Sequence, residues 1–275
     1  MLDFKIDETL CTECGLCSED CPTLIIDGSK GIPEIKAGKE DLCIRCQHCL
    51  AICPEAALSI HGKDPLDSIA VTNDIPSPGK MSNLIRTRRS VRKFIDKELD
   101  SELVNDLLQT SAYAPSGHNK NEVLLTISYT AEEMAKVQGL VYDALKKAKE
   151  EGRIKGDDRV YNSFQYLWES KDIDILFRNA PHIIIASAPR SNSNAVADCL
   201  ISLSYFELYA NTHGLATLWS GLAMYVFHNL APELQSLLDL PHDHVIGYIM
   251  VFGLPATRYA RSVQSEALNI NRIKT

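Results

Sequence analysis

The pattern CxxCxxCxxxCP occurs twice in this 275-residue chain, as "CTECGLCSEDCP" at residues 11–22 and "CIRCQHCLAICP" at residues 43–54. Every cysteine and the closing proline recur 32 positions later, the mark of a duplicated unit. Eight of the nine cysteines fall in the first 53 residues. The opening "MLDFKIDETL" has neither the basic start nor the apolar stretch of a secretory signal, and no run approaches the length of a membrane-spanning helix. The expected location is therefore the cytoplasm, where such a cysteine density argues for metal ligation over a disulfide framework.

Spacing sharpens that expectation. Cysteines three apart on a tight loop can turn their sulfurs to successive corners of one cluster, but the fourth follows a longer step and points elsewhere. In the two-cluster pattern the cysteine before proline ligates the other cluster. One 4Fe-4S cluster is thus expected on Cys11, Cys14, Cys17 and Cys53, and the other on Cys43, Cys46, Cys49 and Cys21. Cysteine pairs also make zinc sites; two full copies, each with its proline, favour iron–sulfur. Gly15 in the first loop would let the backbone approach the sulfurs, whereas Gln47 takes the corresponding place in the second, so the two clusters can differ in potential.

This stretch resembles bacterial two-cluster ferredoxins over residues 3–61, including the apolar segments "TLIID" and "ALSI" that follow each Cys-Pro. The resemblance implies two short hairpins, two short helices and one-electron transfer. So small a module has little core of its own and should unfold when its clusters are lost.

The net charge of −8 is unevenly spread. Residues 1–62 hold 11 acids and 5 bases, and the remainder holds 25 acids and 23 bases. There is no basic footprint for nucleic acid and no dense basic patch for an anionic membrane. The acidic N-terminal surface suits either solubility or an electron-partner docking face. Residues 63–80, with prolines at 65, 76 and 78 and glycine at 79, read as a linker that Leu66, Ile69 and Val71 could pin to the larger C-terminal module.

Residues 81–275 alternate helical and strand patterns, an α+β order. "DSELVNDLLQTSAYA" places Leu103, Val104, Leu107 and Leu108 on one helical face, and "NAVADCLISLSYFELYANTHG" is a helix, apolar around most of its circumference, ending at Gly214. Such a helix must be covered on nearly all sides, by its own domain or by a second subunit. "EVLLTISY", "HIIIASA" and "VIGYIMVFG" read as strands. Cys199 reads as a small core hydrophobe. The aromatics of residues 140–178 (Tyr142, Tyr161, Phe164, Tyr166, Trp168 and Phe177) read as packing rather than as a substrate-stacking lid. His118 reads as a satisfied loop histidine rather than a proton donor.

"RTRRSVRKF", "APSGHN", "LATLWSG" and "GLPATRYAR", in that order, resemble the nitroreductase family of flavoproteins over most of residues 82–265. The resemblance implies a homodimer with FMN held between subunits and the long apolar helix in the dimer core. It implies that Arg88, Arg89 and Ser90 meet the FMN phosphate and ribityl chain, and that Arg92 approaches the N1 and O2 edge of the ring. Pro115, Ser116, Gly117 and Asn119 would reach the flavin from the partner subunit. Leu218, Trp219, Ser220 and Gly221 would pass near N5, and Arg258 or Arg261 would complete the phosphate site. The chain departs from the family pattern after Asn119, with Lys120, Asn121, Glu122 and Val123, which bears on contacts around that loop. No GxGxxG follows a strand, so no dedicated nicotinamide domain is expected; the resemblance implies that NAD(P)H, if it is used, stacks directly over the flavin. No protein acid stands out as catalytic.

Joining the modules gives an oxidoreductase that passes electrons from two 4Fe-4S clusters to FMN and on to a small organic acceptor such as a nitroaromatic or a quinone. Reduced ferredoxin or NAD(P)H is the expected donor. The alternative is an electron-transfer adaptor between protein partners, without a small-molecule substrate of its own.

Overall fold

The computed structural model describes residues 2–71, 75–154, 159–266 and 268–273. The chain divides into two compact units: Met1–Ile75 with His118–Lys120, and Pro76–Gly117 with Asn121–Thr275.

In the first unit the 32-residue repeat is written into the backbone. Strand β1 (Phe4–Ile6) leads to the first cysteine loop and the short helix α1 (Leu16–Glu19), then to β2 (Ile26–Asp27) and β3 (Glu34–Ile35). The second loop leads to helix α2 (His48–Ala51) and strand β4 (Leu58–Ile60). Left-handed residues occur in pairs at the repeat distance: Glu13 and Arg45, Gly15 and Gln47, Leu24 and Ala56. Gly15 (φ 75) and Gln47 (φ 59) each open the short helix after them. The left-handed turn is therefore a property of the loop, which glycine adopts freely and glutamine adopts at a cost of about 1 kcal/mol.

The two hairpins implied by the ferredoxin resemblance are realised differently. β2 and β3 form one, whereas β1 and β4 are the two ends of the module, paired antiparallel from Phe4↔Ile60 to Ile6↔Leu58. The buried core contains Ile25, Ile26, Leu50, Leu58 and Ile60, with Cys17, Cys21 and Cys49 among them. Some of the candidate metal ligands are thus also core residues. Beyond this core, Leu66, Ile69 and Val71 are exposed, at 80%, 91% and 101%; residues 72–74 lie outside the described residues.

The second unit is a four-stranded antiparallel sheet with helices on both faces. Helix α3 (Pro78–Thr87) is capped by the Ser77 hydroxyl, and α4 (Ser101–Ser111) by the Asp100 carboxylate. Strand β5 (Leu124–Ile127) precedes α5 (Ala131–Glu150), whose capping box pairs Thr130 with Glu133, and α6 (Arg159–Lys171). Then come β6 (His182–Pro189), α7 (Ala195–Thr212), β7 (Ala216–Trp219), the short helices α8 (Gly221–Tyr225) and α9 (Leu234–Leu237), and β8 (His244–Gly253). The strand order is β5-β6-β8-β7.

Successive residues of β6 enter different cores. Ile183 and Ile185 pack with α5 and α6 through Val141, Leu145 and Phe164, while Ile184, Ala186 and Ala188 pack with α4 and α7 through Val104, Leu107, Leu203 and Phe206. Apolar burial on both faces accounts for the unbroken run "HIIIASA". Cys199 on α7 is fully buried, and a Cβ on Gly247 would lie 2.2 Å from its Cβ. Gly247 is the residue left without a β6 partner where the register shifts between Ala186 and Ser187, so a bulge in β8 admits the cysteine. Burial pushes the Cys199 thiol up to about 11, as suits a packing residue. Helix α7 buries one face in this core and leaves Val196, Leu200 and Tyr205 partly exposed on the other.

Candidate functional sites

In the first unit the cysteines stand around two small cavities. Cys11, Cys14, Cys17 and Cys53 line one, together with Ile6, Gly15, Pro33 and Pro54. Cys21, Cys43, Cys46 and Cys49 line the other, with Pro22, Gln47, Ile26 and Ile60. Three sulfurs of each set come from one loop and the fourth from the opposite repeat. Among the described residues no three His, Cys, Asp or Glu side chains converge as they would around a single ion.

The electrostatics are those of a site that needs positive charge. Burial pushes the Cys49 thiol up to about 12, and the neighbouring Cys46, Cys43 and Cys21 add to the effect. Burial likewise raises Cys17. At Cys21 burial acts upward too, but hydrogen bonds from the Ile25 and Thr23 amides and the Thr23 hydroxyl outweigh it, and the thiol is held below its ordinary value. The Ala57 amide donates to Cys53 Sγ at 3.3 Å, and His61 Nε2 lies 3.6 Å from Cys43 Sγ. Cysteine sulfurs gathered in fours are a donor set that suits an iron–sulfur cluster.

In the second unit, the segment after α3 runs between two others. Ser90 bridges Thr217 of β7 in parallel, and the Val91 amide donates to the Thr217 carbonyl at 3.0 Å. Phe94 bridges Pro255 just beyond β8, the Ile95 amide donates to the Leu254 carbonyl at 2.8 Å, and the Ala256 amide donates to the Lys93 carbonyl at 2.9 Å. This stapling brings Arg89 and Arg258 to one cleft of about 380 Å³, together with Thr87, Asn211, Gly214 and Tyr259. Arg88 turns to α7, its Nη1 3.1 Å from Glu207 Oε1, and the Thr217 hydroxyl donates to the same oxygen at 2.8 Å. Arg92 donates to the Ser90 carbonyl at 3.2 Å. Arg261 is exposed and does not line the cleft.

Leu218 is buried in the core, and the Trp219 ring meets Tyr248 edge-on at 5.1 Å. The Ser220 hydroxyl donates to the Leu176 carbonyl and accepts from the Ala223 amide, capping α8, and Gly221 begins that helix. Pro115 and Ser116 line a separate cleft with Ser111, Asn121, Asp198 and Ser202. The Gly117 amide donates to Asp198 Oδ1 at 3.0 Å, and a Cβ at Gly117 would fall 2.1 Å from Asn194 Nδ2. Asn119 belongs to the first unit, where its Nδ2 donates to the Ile44 carbonyl at 3.1 Å. His118, in the same short turn, has a left-handed backbone (φ 53) and an exposed side chain.

The aromatic segment packs, apart from 155–158, which lie outside the described residues. Tyr142 and Trp168 stack at 4.3 Å, Tyr161 stacks on Tyr225 at 4.8 Å, and Phe164 and Phe177 are buried, while Tyr166 is exposed. Tyr142 donates to the buried Asp174 carboxylate at 2.8 Å, and burial together with that carboxylate raises its phenol. Sequence reasoning passed over Glu207, Thr217, Asp198 and Asn194. The available signal was two carboxylates on an otherwise apolar helix, because buried carboxylates need partners.

An α+β fold with a sheet covered on both faces, joined to a module with two crossed cysteine sets, defines a redox class of protein. Residues 85–254 match the nitroreductase family, and residues 10–58 match the 4Fe-4S dicluster domain. The chain belongs to the nitroreductase family and carries an N-terminal 4Fe-4S ferredoxin-type domain. A nitroreductase of Bacteroides fragilis, solved with bound FMN, is similar in fold with a TM-score of 0.56 and 20% identity, covering 70% of this chain and 99% of its own. A protein of Methanothermobacter thermautotrophicus, provisionally named NADH dehydrogenase/NAD(P)H nitroreductase, is 24% identical over 188 residues, 65% of this chain and 81% of that one. Ferredoxin-1 of Rhodobacter capsulatus is 42% identical over 58 residues, 20% of this chain and 85% of its own. No helix among the described residues is long and apolar enough to cross a membrane.

Proposed function

We propose that the chain is a homodimeric FMN oxidoreductase in which two 4Fe-4S clusters deliver electrons to the flavin for transfer to a small organic acceptor. The observation that carries this reading is the sorting of eight cysteines into two crossed sets of four, each around its own cavity, in a chain that belongs to the nitroreductase family. Crossed ligation makes each set depend on both repeats, so that neither site forms without the other half of the module.

FMN would supply the exchange between one-electron and two-electron transfer. The residues of the second unit fit its anionic end: Arg89 and Arg258 line one cleft, and guanidinium forks match phosphate oxygens bidentately. Arg88 is paired with Glu207 instead and does not line that cleft. Pro115 and Ser116 line a different cleft from Arg89 and Arg258, which agrees with their contributing to a flavin held mainly by the other subunit. The partly exposed side of α7 is the surface we assign to the dimer seam. The donor is reduced ferredoxin or NAD(P)H, and a cytoplasmic setting would keep the cysteines reduced before assembly. The acidic balance of residues 1–62 suits a basic protein donor.

The test is anaerobic purification with iron, sulfide and FMN quantified and the oligomeric state measured. Stopped-flow reduction by NADH, NADPH and reduced ferredoxin in parallel comes next, then steady-state turnover with a nitroaromatic and a quinone. Cluster reduction that neither precedes nor accompanies flavin reduction with any donor refutes the internal relay. Flavin reduction without turnover of any small acceptor favours the adaptor between protein partners.

A further inference from the structure

The two cysteine sets are equal in number but not in surroundings. His61 directly follows β4 in a left-handed conformation (φ 54). Its amide donates to the Asp3 carbonyl at 2.8 Å, and the Gly62 amide donates to the Asp3 carboxylate at 3.0 Å, which fixes the turn on the neighbouring strand end. The imidazole Nε2 is thereby held 3.6 Å from Cys43 Sγ. In the second set Thr23 Oγ1 also lies 3.7 Å from Cys21 Sγ. The repeat counterparts of His61 and Cys43 are Ser29 and Cys11. Ser29 does not reproduce the contact, because its hydroxyl donates to Asp27 Oδ1 at 2.7 Å. The first set receives the Ala57 backbone amide at Cys53, as Cys21 of the second receives that of Ile25, the repeat counterpart of Ala57.

A metal-bound thiolate can only accept, so the proton of this pair sits on Nε2. A hydrogen bond to a cysteine sulfur drains negative charge from the ligand and favours the reduced, more negative state of the cluster. We propose that the His61 Nε2–H···Sγ Cys43 hydrogen bond places the cluster held by Cys21, Cys43, Cys46 and Cys49 at a higher potential than the one held by Cys11, Cys14, Cys17 and Cys53. An electron entering the module then rests on the second site. His61 is a positioning residue that acts through a ligand, and the inference rests on the reading that both clusters are present.

The experiment uses the full-length holoprotein, with iron and sulfide counted first. That count tests the two-cluster reading, and the variants test this inference. Anaerobic redox titration with dithionite, followed by EPR, is run on the wild type, His61→Phe and His61→Gln. The wild type should titrate in two waves. In His61→Phe the upper wave should move to lower potential while the lower one stays. His61→Gln, whose amide nitrogen reaches to about the place of Nε2, should restore the upper wave. Pulsed EPR of the wild type at the first wave should show coupling to an imidazole nitrogen, a readout that needs no variant to fold. A single wave in a two-cluster wild type overturns the inference. So do an unmoved upper wave in His61→Phe, equal movement of both waves, failure of glutamine to restore, or absence of the nitrogen coupling.

Discussion

Replacing Glu207 separates the two jobs its carboxylate does, and the structure gives each a size. Oε1 takes the Thr217 hydroxyl at 2.8 Å and Arg88 Nη1 at 3.1 Å; the Glu207 side chain is 8% exposed, that of Arg88 is 30% exposed and Thr217 is fully buried. Glu207→Ala strands the Thr217 hydroxyl, which costs about 1–3 kcal/mol for an unsatisfied buried group. It also removes one buried methylene, worth about 0.8 kcal/mol. The Arg88 pair adds at most about 1 kcal/mol, since the arginine reaches solvent. The expected loss is therefore about 2–5 kcal/mol. Glu207→Gln keeps an acceptor for Thr217 and most of the volume and should cost about 1 kcal/mol, yet it removes the charge that orients Arg88. The assay is urea unfolding of the flavin-free protein beside FMN titration of each variant. Alanine should lower the unfolding midpoint much more than glutamine, while both weaken FMN binding. Equal destabilisation by the two would refute the argument, because the charge pair and not the stranded hydroxyl would then carry the energy.

Cys53→Ser should perturb the cluster of the first loop and spare the second, and Cys21→Ser should do the reverse, as read by iron content and EPR; each perturbing its own loop's cluster would break the crossed assignment. Gly117→Ala drives a methyl into Asn194 and should cost about 1–3 kcal/mol, with Asn194→Ala in the same chain relieving much of it; a double variant as unstable as the single one counts against that contact. His182 is buried, accepts from the Leu99 amide at Nε2 and faces the Ser128 carbonyl with Nδ1, and burial holds it below its ordinary value. Because the unfolded chain takes a proton near pH 6.5 that the folded one refuses, stability should fall as pH drops through that region. His182→Gln should flatten that part of the stability profile relative to the wild type, and an unchanged slope would exclude His182 as its source.

The amino-acid order by itself determined the two cysteine loops, because spacing within eleven residues is a local constraint; the gathering of a fourth cysteine from the opposite repeat at each cavity is a tertiary matter. It also determined the long apolar helix and three of the four strands of the sheet, whose apolar runs and turn formers are local as well. It missed β7, since "ATLW" is too short to show a period and becomes a strand only by pairing with β8. The union of Arg89 with Arg258, the Glu207 clamp on Arg88, the fit of Gly117 against Asn194 and the approach of His61 to Cys43 were decided by tertiary structure alone. Each joins residues 18 to 169 positions apart in the sequence. Their energies come from desolvation and contact after the chain has closed, and a one-dimensional pattern has no term for either.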